Sequence, residues 1–152
     1  MPCGVARATV ATIRSGRHPM TDSAALSSRT PEELAELAFE RIRIEPPGAV
    51  VTARVADREI ARSERALAVH ETGHDVRYYF PREDVDLSAL SPLERTTHCP
   101  FKGDASQYWT LASDAADAEP VAWSYPDPIE ASRAIADHVA FSDAVVVEVA
   151  TR

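Results

Sequence analysis

Two hydrophobic periods divide the chain. Between residues 30 and 45, Leu34, Leu37, Ala38 and Ile42 recur at helical spacing. Thr30-Pro31-Glu32-Glu33 precedes them: an N-cap hydroxyl, a proline at the first helical position and a glutamate that can reach back to the cap. Pro46-Pro47 follows, and proline cannot continue a helix. The pattern predicts an amphipathic helix over 30–45. After Gly48 the period falls to two. Val50, Val51 and Val55 run up to Ala56-Asp57-Arg58, a turn-like break, and Glu59-Ile60-Ala61-Arg62 answers as the second arm of a hairpin.

Further strands are predicted at 66–71, 77–80, 105–111, 121–125 and 144–149. In 105–111, Ala105, Gln107, Trp109 and Leu111 share one face, and Ser106, Tyr108 and Thr110 the other. Asp127-Pro128-Ile129-Glu130 repeats the cap-plus-proline grammar and predicts a second helix over 129–138, with Ile129, Ile135 and Ala136 on its inner side. A helix, many short strands, a helix and a strand point to a mainly β domain over 49–152 with peripheral helices. An alternating parallel α/β fold is disfavoured.

Composition narrows the class. A chain of 152 residues, 45% hydrophobic and 26% charged, has room for one domain with a buried core and a short appendage. No run of apolar residues is long enough for a transmembrane helix. Sixteen basic against 24 acidic side chains give a net charge of −8, which argues against a nucleic-acid partner, and with no such apolar run a membrane partner is not expected either. Cys3 and Cys99 are too few for a disulfide framework or a four-cysteine zinc site, which suits the cytoplasm. Residues 1–19 hold Arg7, Arg14 and Arg17 and no acid, without the apolar core of a secretory signal. A disordered extension over 1–29 is expected, or a true start at Met20.

His70-Glu71-Thr72-Gly73-His74 is a literal H-E-x-x-H. On a helix it would aim two imidazoles at one zinc ion, with Glu71 as general base and Glu94 as a further ligand. Gly73 costs such a helix about 1 kcal/mol, the run before it is short, and Pro92 stands two residues before Glu94. A strand ending in a Gly73 turn is the competing reading, and no metal or other cofactor is expected.

Between residues 71 and 127, residues that carry chemistry are dense. Cys99 is the one cysteine of the domain; Lys102 is a cation that can favour its thiolate or hold an anion, while an extended backbone points His98 away from it. Glu71 is a candidate acid or base, or the ion-pair partner of Lys102. Trp123 and Tyr125 suit a pocket wall. Four blocks carry a resemblance: Glu71-Thr72-Gly73-His74; Tyr79-Phe80-Pro81-Arg82-Glu83-Asp84-Val85; Thr97-His98-Cys99-Pro100-Phe101-Lys102-Gly103-Asp104-Ala105; and Ala122-Trp123-Ser124-Tyr125-Pro126-Asp127-Pro128. In this order they resemble the bacterial and fungal domain of unknown function 427, sometimes labelled nucleotidyltransferase-like. The resemblance implies a compact tent-like, Mss4-like β architecture, here without the four-cysteine zinc knot of the wider group, and a transferase-type activity. For such chemistry Asp84-Val85-Asp86 supplies carboxylates that a strand would project to one face, but no Gly-Gly or Gly-Ser loop precedes them.

The sequence thus nominates Cys99, Glu71 and Lys102 as candidate catalytic residues. Tyr79, Asp84, Lys102, Trp123 and Tyr125 are the candidate ligand-binding residues. Three functional classes remain open: an anionic small-molecule site with or without turnover, a non-catalytic binding module, and the zinc hydrolase.

Overall fold

Thr30 caps a helix as the local grammar requires. In the computed structural model, which describes residues 28–114 and 118–151, its hydroxyl accepts the Glu33 amide at 3.1 Å. Pro31 opens helix α1, Pro31–Arg41, with Glu32 and Glu33 in the first turn and Arg41 in the last, each favourable to the helix dipole. The expected extension over 1–29 lies outside the described residues, apart from Ser28 and Arg29. The helix is shorter than predicted. At Ile42 the chain becomes extended (φ −112°, ψ 125°) and runs into strand β1, Ile42–Glu45, which pairs antiparallel with β4, Leu67–Glu71. Backbone pairing with a strand distant in sequence overrides the helical spacing of Ile42.

The hairpin forms as predicted from β2, Ala49–Val55, and β3, Arg58–Ser63, with Ala56 at φ 55° in the turn. Beyond β4, the strands are β5, Arg77–Pro81; β6, Leu90–Leu93; β7, Thr97–Cys99; β8, Gly103–Ala105; β9, Gln107–Leu111; β10, Ala122–Ser124; β11, His138–Phe141; and β12, Val146–Thr151. A seven-stranded sheet has the order β1-β4-β5-β11-β10-β9-β6, a three-stranded sheet β12-β2-β3, and β7-β8 form a separate hairpin. The fold is mainly β, and among the described residues the strand pairs are antiparallel. No helix among them is long and apolar enough to cross a membrane.

Two predicted elements need correction. The second helix, expected over 129–138, is only a short 3-10 segment, Glu130–Ile135, kinked at Ser132. Asp137 then takes φ 61°, and His138 begins β11 in the middle of the large sheet. The 105–111 strand is two strands of different sheets, broken at Ser106. Ala105 accordingly packs with Tyr108 rather than with Trp109.

The large sheet is buried on both faces, which explains why its central strands lack a simple apolar–polar alternation. Phe80, Trp109, Ala122, Val139 and Phe141 face the three-stranded sheet and meet Val51, Ala53, Ile60 and Ala61. Their neighbours in sequence, Tyr79, Tyr108, Trp123 and Ala140, face the other way. That second face is covered by Ala38 of α1, by Cys99, Phe101 and Ala105 of the β7-β8 hairpin, and by Ile135. The two faces differ in chemistry: the first is almost wholly hydrocarbon, while the second carries the polar-tipped rings.

Candidate functional site

The second face is where most of the nominated residues meet. Leu67, Val69 and Glu71 alternate toward it along β4, so the strand delivers a carboxylate at its end. The chain reverses at once: the His74 amide donates to the Glu71 carbonyl at 2.9 Å, and Gly73 sits at φ 86°. Opposite stands Lys102, at the tip of the β7-β8 hairpin. Its amide donates to the Cys99 carbonyl at 3.2 Å and its carbonyl accepts the Ile129 amide at 2.9 Å, while Ser132 Oγ donates to the Phe101 carbonyl at 3.2 Å. Gly103, at φ 109°, lets the backbone pass close to Pro128 and Ile129, where a Cβ would lie 3.3 Å from the Ile129 nitrogen.

So held, Lys102 Nζ donates to Glu71 Oε1 in an ion pair with side-chain exposures of only 4% and 8%. The exposed His74 brings Nε2 to 3.7 Å from the other carboxylate oxygen. Burying two charges is unfavourable unless they are well paired. Here one carboxylate faces two cationic or potentially cationic groups.

The same face carries a cluster of rings, two of which, Tyr79 and Tyr125, lie within electrostatic reach of Glu71. Tyr79 Oη accepts the indole N–H of Trp123 at 3.3 Å, and the Tyr125 ring lies 6.4 Å from that of Tyr79. Tyr125 is fully buried, yet its hydroxyl has no hydrogen-bond partner among the described residues. Such a group costs about 1–3 kcal/mol. Burial pushes both phenols well above the ordinary tyrosine range, and the Glu71 carboxylate adds to the shift in each. Both therefore remain protonated, and hence hydrogen-bond donors, at neutral pH. Thr97 Oγ1 and Tyr108 Oη satisfy each other at 2.6 Å.

Three guanidinium groups ride on rings of this face: Arg41 over Phe101 at 5.2 Å, Arg77 over Trp123 at 5.3 Å and Arg95 over Tyr108 at 5.7 Å. Arg77 also donates to the Phe141 carbonyl at 2.8 Å and to Asp143 at 3.1 Å. Sequence reasoning missed these arginines. Each sits on a ring from another part of the chain, and no local motif marks such a pairing.

The remaining candidates distribute differently. Cys99 is buried on the same face, and its sulfur is not a free thiol in this structure. His98 points outward to Asp104 at 2.8 Å, as strand alternation requires. Asp84 does not join the site. It closes a 3-10 turn, Arg82–Asp84, and bonds Ser63 Oγ at 2.6 Å and Arg65 at 3.1 Å. Asp86 caps the next 3-10 turn and pairs with Arg58 at 2.9 Å, so these two carboxylates do not lie on a strand, and both are taken up by local partners. The H-E-x-x-H stretch is the end of β4 and a turn, with His70 bonded to Glu45 at 3.1 Å and His74 beside Glu71. The helical geometry that would aim both imidazoles at one metal is not formed, and among the described residues no group of three or more His, Cys, Asp or Glu side chains gathers as a metal site.

Every signature block named from the sequence contributes to this face: Glu71 and His74 from the first, Tyr79 from the second, Phe101 and Lys102 from the third, Trp123 and Tyr125 from the fourth. No curated protein matches the chain. The family model described as Domain of unknown function (DUF427) matches residues 43–151, from β1 to β12, and the chain belongs to that family.

Proposed function

We propose that this domain binds a small anionic molecule on the ring-lined face of its seven-stranded sheet. The observation that carries the reading is the buried Lys102–Glu71 pair, on a sheet face whose rings three further cations contact. A lysine that already has an internal counter-ion can stay charged in a dry site and exchange part of its bonding to an incoming anion. Guanidinium groups on aromatic rings are held in place at little further entropic cost, and they raise the local positive potential on a chain of net charge −8. The ligand in this reading is a small molecule rather than a nucleic acid or a membrane surface. An enzyme of transferase type would use Glu71 as acid or base and Lys102 to stabilise developing negative charge.

A second reading has its own support. The hairpin tip is also bolted to the 129–135 segment through Lys102, Phe101 and Gly103, so the ion pair can serve as a latch in a non-catalytic binding module.

One experiment separates them. The full chain is screened by thermal shift against nucleotides, nucleotide sugars and small carboxylic acids, beside the variant Glu71→Gln/Lys102→Met, which removes the cation without stranding a carboxylate. A ligand at a hundred times its Kd adds about 2.7 kcal/mol of stability. The anion reading expects a compound that stabilises the wild type and leaves the folded variant unmoved. A shift of equal size in both proteins, or none in the wild type, defeats it. Consumption of the stabilising compound by the wild type marks an enzyme.

A further inference from the structure

Among the described residues of the ring-lined face, two phenols have hydrogen-bonding capacity to spare. Tyr108 spends its hydroxyl on Thr97. Tyr79 accepts a bond from Trp123, which leaves its own phenolic proton without an acceptor, and Tyr125 has no partner for either its proton or its lone pairs. The two residues are 1% and 0% exposed, and their rings are neighbours. Buried hydroxyls are satisfied in the large majority of cases, so two idle phenolic donors side by side ask for a shared acceptor.

We propose that Tyr125 and Tyr79 form a two-donor cradle for one oxygen of a ligand's carboxylate or phosphate group, and that Tyr125 is the residue that selects for it. This rests on the anion reading above and adds to it the chemistry of the recognised atom. An anionic oxygen carries enough lone pairs to accept from two O–H groups, and charge-assisted bonds of that kind are the stronger ones. An ammonium or amide N–H in the same place would bring no acceptor, so both phenolic protons would stay unpaired. Both hydroxyls are covered, so binding displaces part of that cover, and residues 72–76 beside Glu71 are the exposed stretch next to the site.

Ser124 provides the control. Its Oγ is also buried and unpartnered, but strand alternation puts it on the face of Ala122, away from Trp123 and Tyr125. The test titrates the wild-type chain, Tyr125→Phe, Tyr79→Phe and Ser124→Ala with inorganic phosphate, pyrophosphate and citrate, following calorimetric binding and the unfolding temperature. Phosphate against citrate tells a phosphoryl from a carboxylate oxygen. Tyr125→Phe is expected to unfold at or above the wild-type temperature without anion, because no hydrogen bond is lost. It is expected to weaken the bound anion at least tenfold, Tyr79→Phe to weaken it as well, and Ser124→Ala to leave the affinity unchanged. Binding that survives Tyr125→Phe, or an anion-free Tyr125→Phe that unfolds several degrees early, overturns the cradle alone. A wild type that binds none of the three anions overturns the anion reading and the cradle with it.

Discussion

Lys102→Met tests the physics of the site most directly. Methionine keeps the length of the side chain and much of its apolar contact, so the change removes the charge with little loss of packing. Glu71 is then left 8% exposed with its Oε1 partner gone. Removing one partner of a buried pair typically costs about 3–5 kcal/mol. His74, 3.7 Å from the other oxygen and in contact with water, brings the expected loss to the lower end, about 3 kcal/mol. A domain of ordinary stability holds about 5–15 kcal/mol in all. At this chain length 1 kcal/mol moves the midpoint by roughly 2–4 °C, so the unfolding temperature should fall by roughly 6–12 °C. Glu71→Gln, which strands the ammonium instead, should cost a similar amount. The double variant should lie within about 2 kcal/mol of wild type, since a neutral pair carries no desolvation debt. Urea denaturation of the four proteins, followed by circular dichroism, closes the cycle. A single-variant loss below about 1 kcal/mol, or a double variant equal to the sum of the singles, would refute the reasoning.

Gly103→Ala combines a positive φ with a Cβ 3.3 Å from a backbone nitrogen and should cost about 2–3 kcal/mol in urea denaturation, against about 1–2 kcal/mol for Gly73→Ala, where the space is open. Thr30→Ala removes the cap hydroxyl and should cost about 1 kcal/mol, read most clearly as faster amide hydrogen exchange in the first turn of α1. Stability should also fall at both ends of the pH scale. Hydrogen bonding from Arg43 lowers Glu45, the Glu83 backbone amide and then Arg65 lower Glu83, and Ser88 followed by Arg58 lowers Asp86. Their contributions are complete above the ordinary values of 4.5, 4.5 and 3.8 and disappear as pH drops through the depressed ones. Tyr79 and Tyr125 act in reverse: raised by burial, they remain protonated when unfolded tyrosine ionises near 10.0, so stability declines above that pH. A urea midpoint that stays flat across the acid limb, or tyrosinate absorbance showing all tyrosines titrating before unfolding, would contradict these assignments.

Features set by near neighbours were legible in the sequence. Thr30, Pro31 and Glu33 specify where α1 begins because a cap bonds within one turn. The β2-β3 hairpin, the strands now seen as Leu67–Glu71 and Arg77–Pro81, and the preference for a mainly β domain follow from turn residues and period-two runs. The chemical likelihood of a Glu71–Lys102 pair was also visible, because a buried lysine needs a carboxylate and Glu71 was an available one.

Tertiary structure decided the rest, through pairings between distant segments. Ile42 fits a helix by spacing and becomes a strand because Glu71 and its neighbours in β4 lie opposite. His138, the last residue of the predicted second helix, instead opens the central strand His138–Phe141, because β5 and β10 flank it. Trp109 and Tyr108 are both buried because sheet and hairpin cover opposite sides of one strand, which removes the alternation that would mark it. The same holds for the site. Residue type nominated Asp84, whose carboxylate is claimed by Ser63 and Arg65, and residue type alone could not nominate Arg41, Arg77 or Arg95. Nor could it show that Tyr125 would be buried without a partner, since that depends on where every neighbouring donor and acceptor comes to rest. Local bonds are written in a few consecutive residues; which charges, rings and hydroxyls share one face is settled only when the sheet closes.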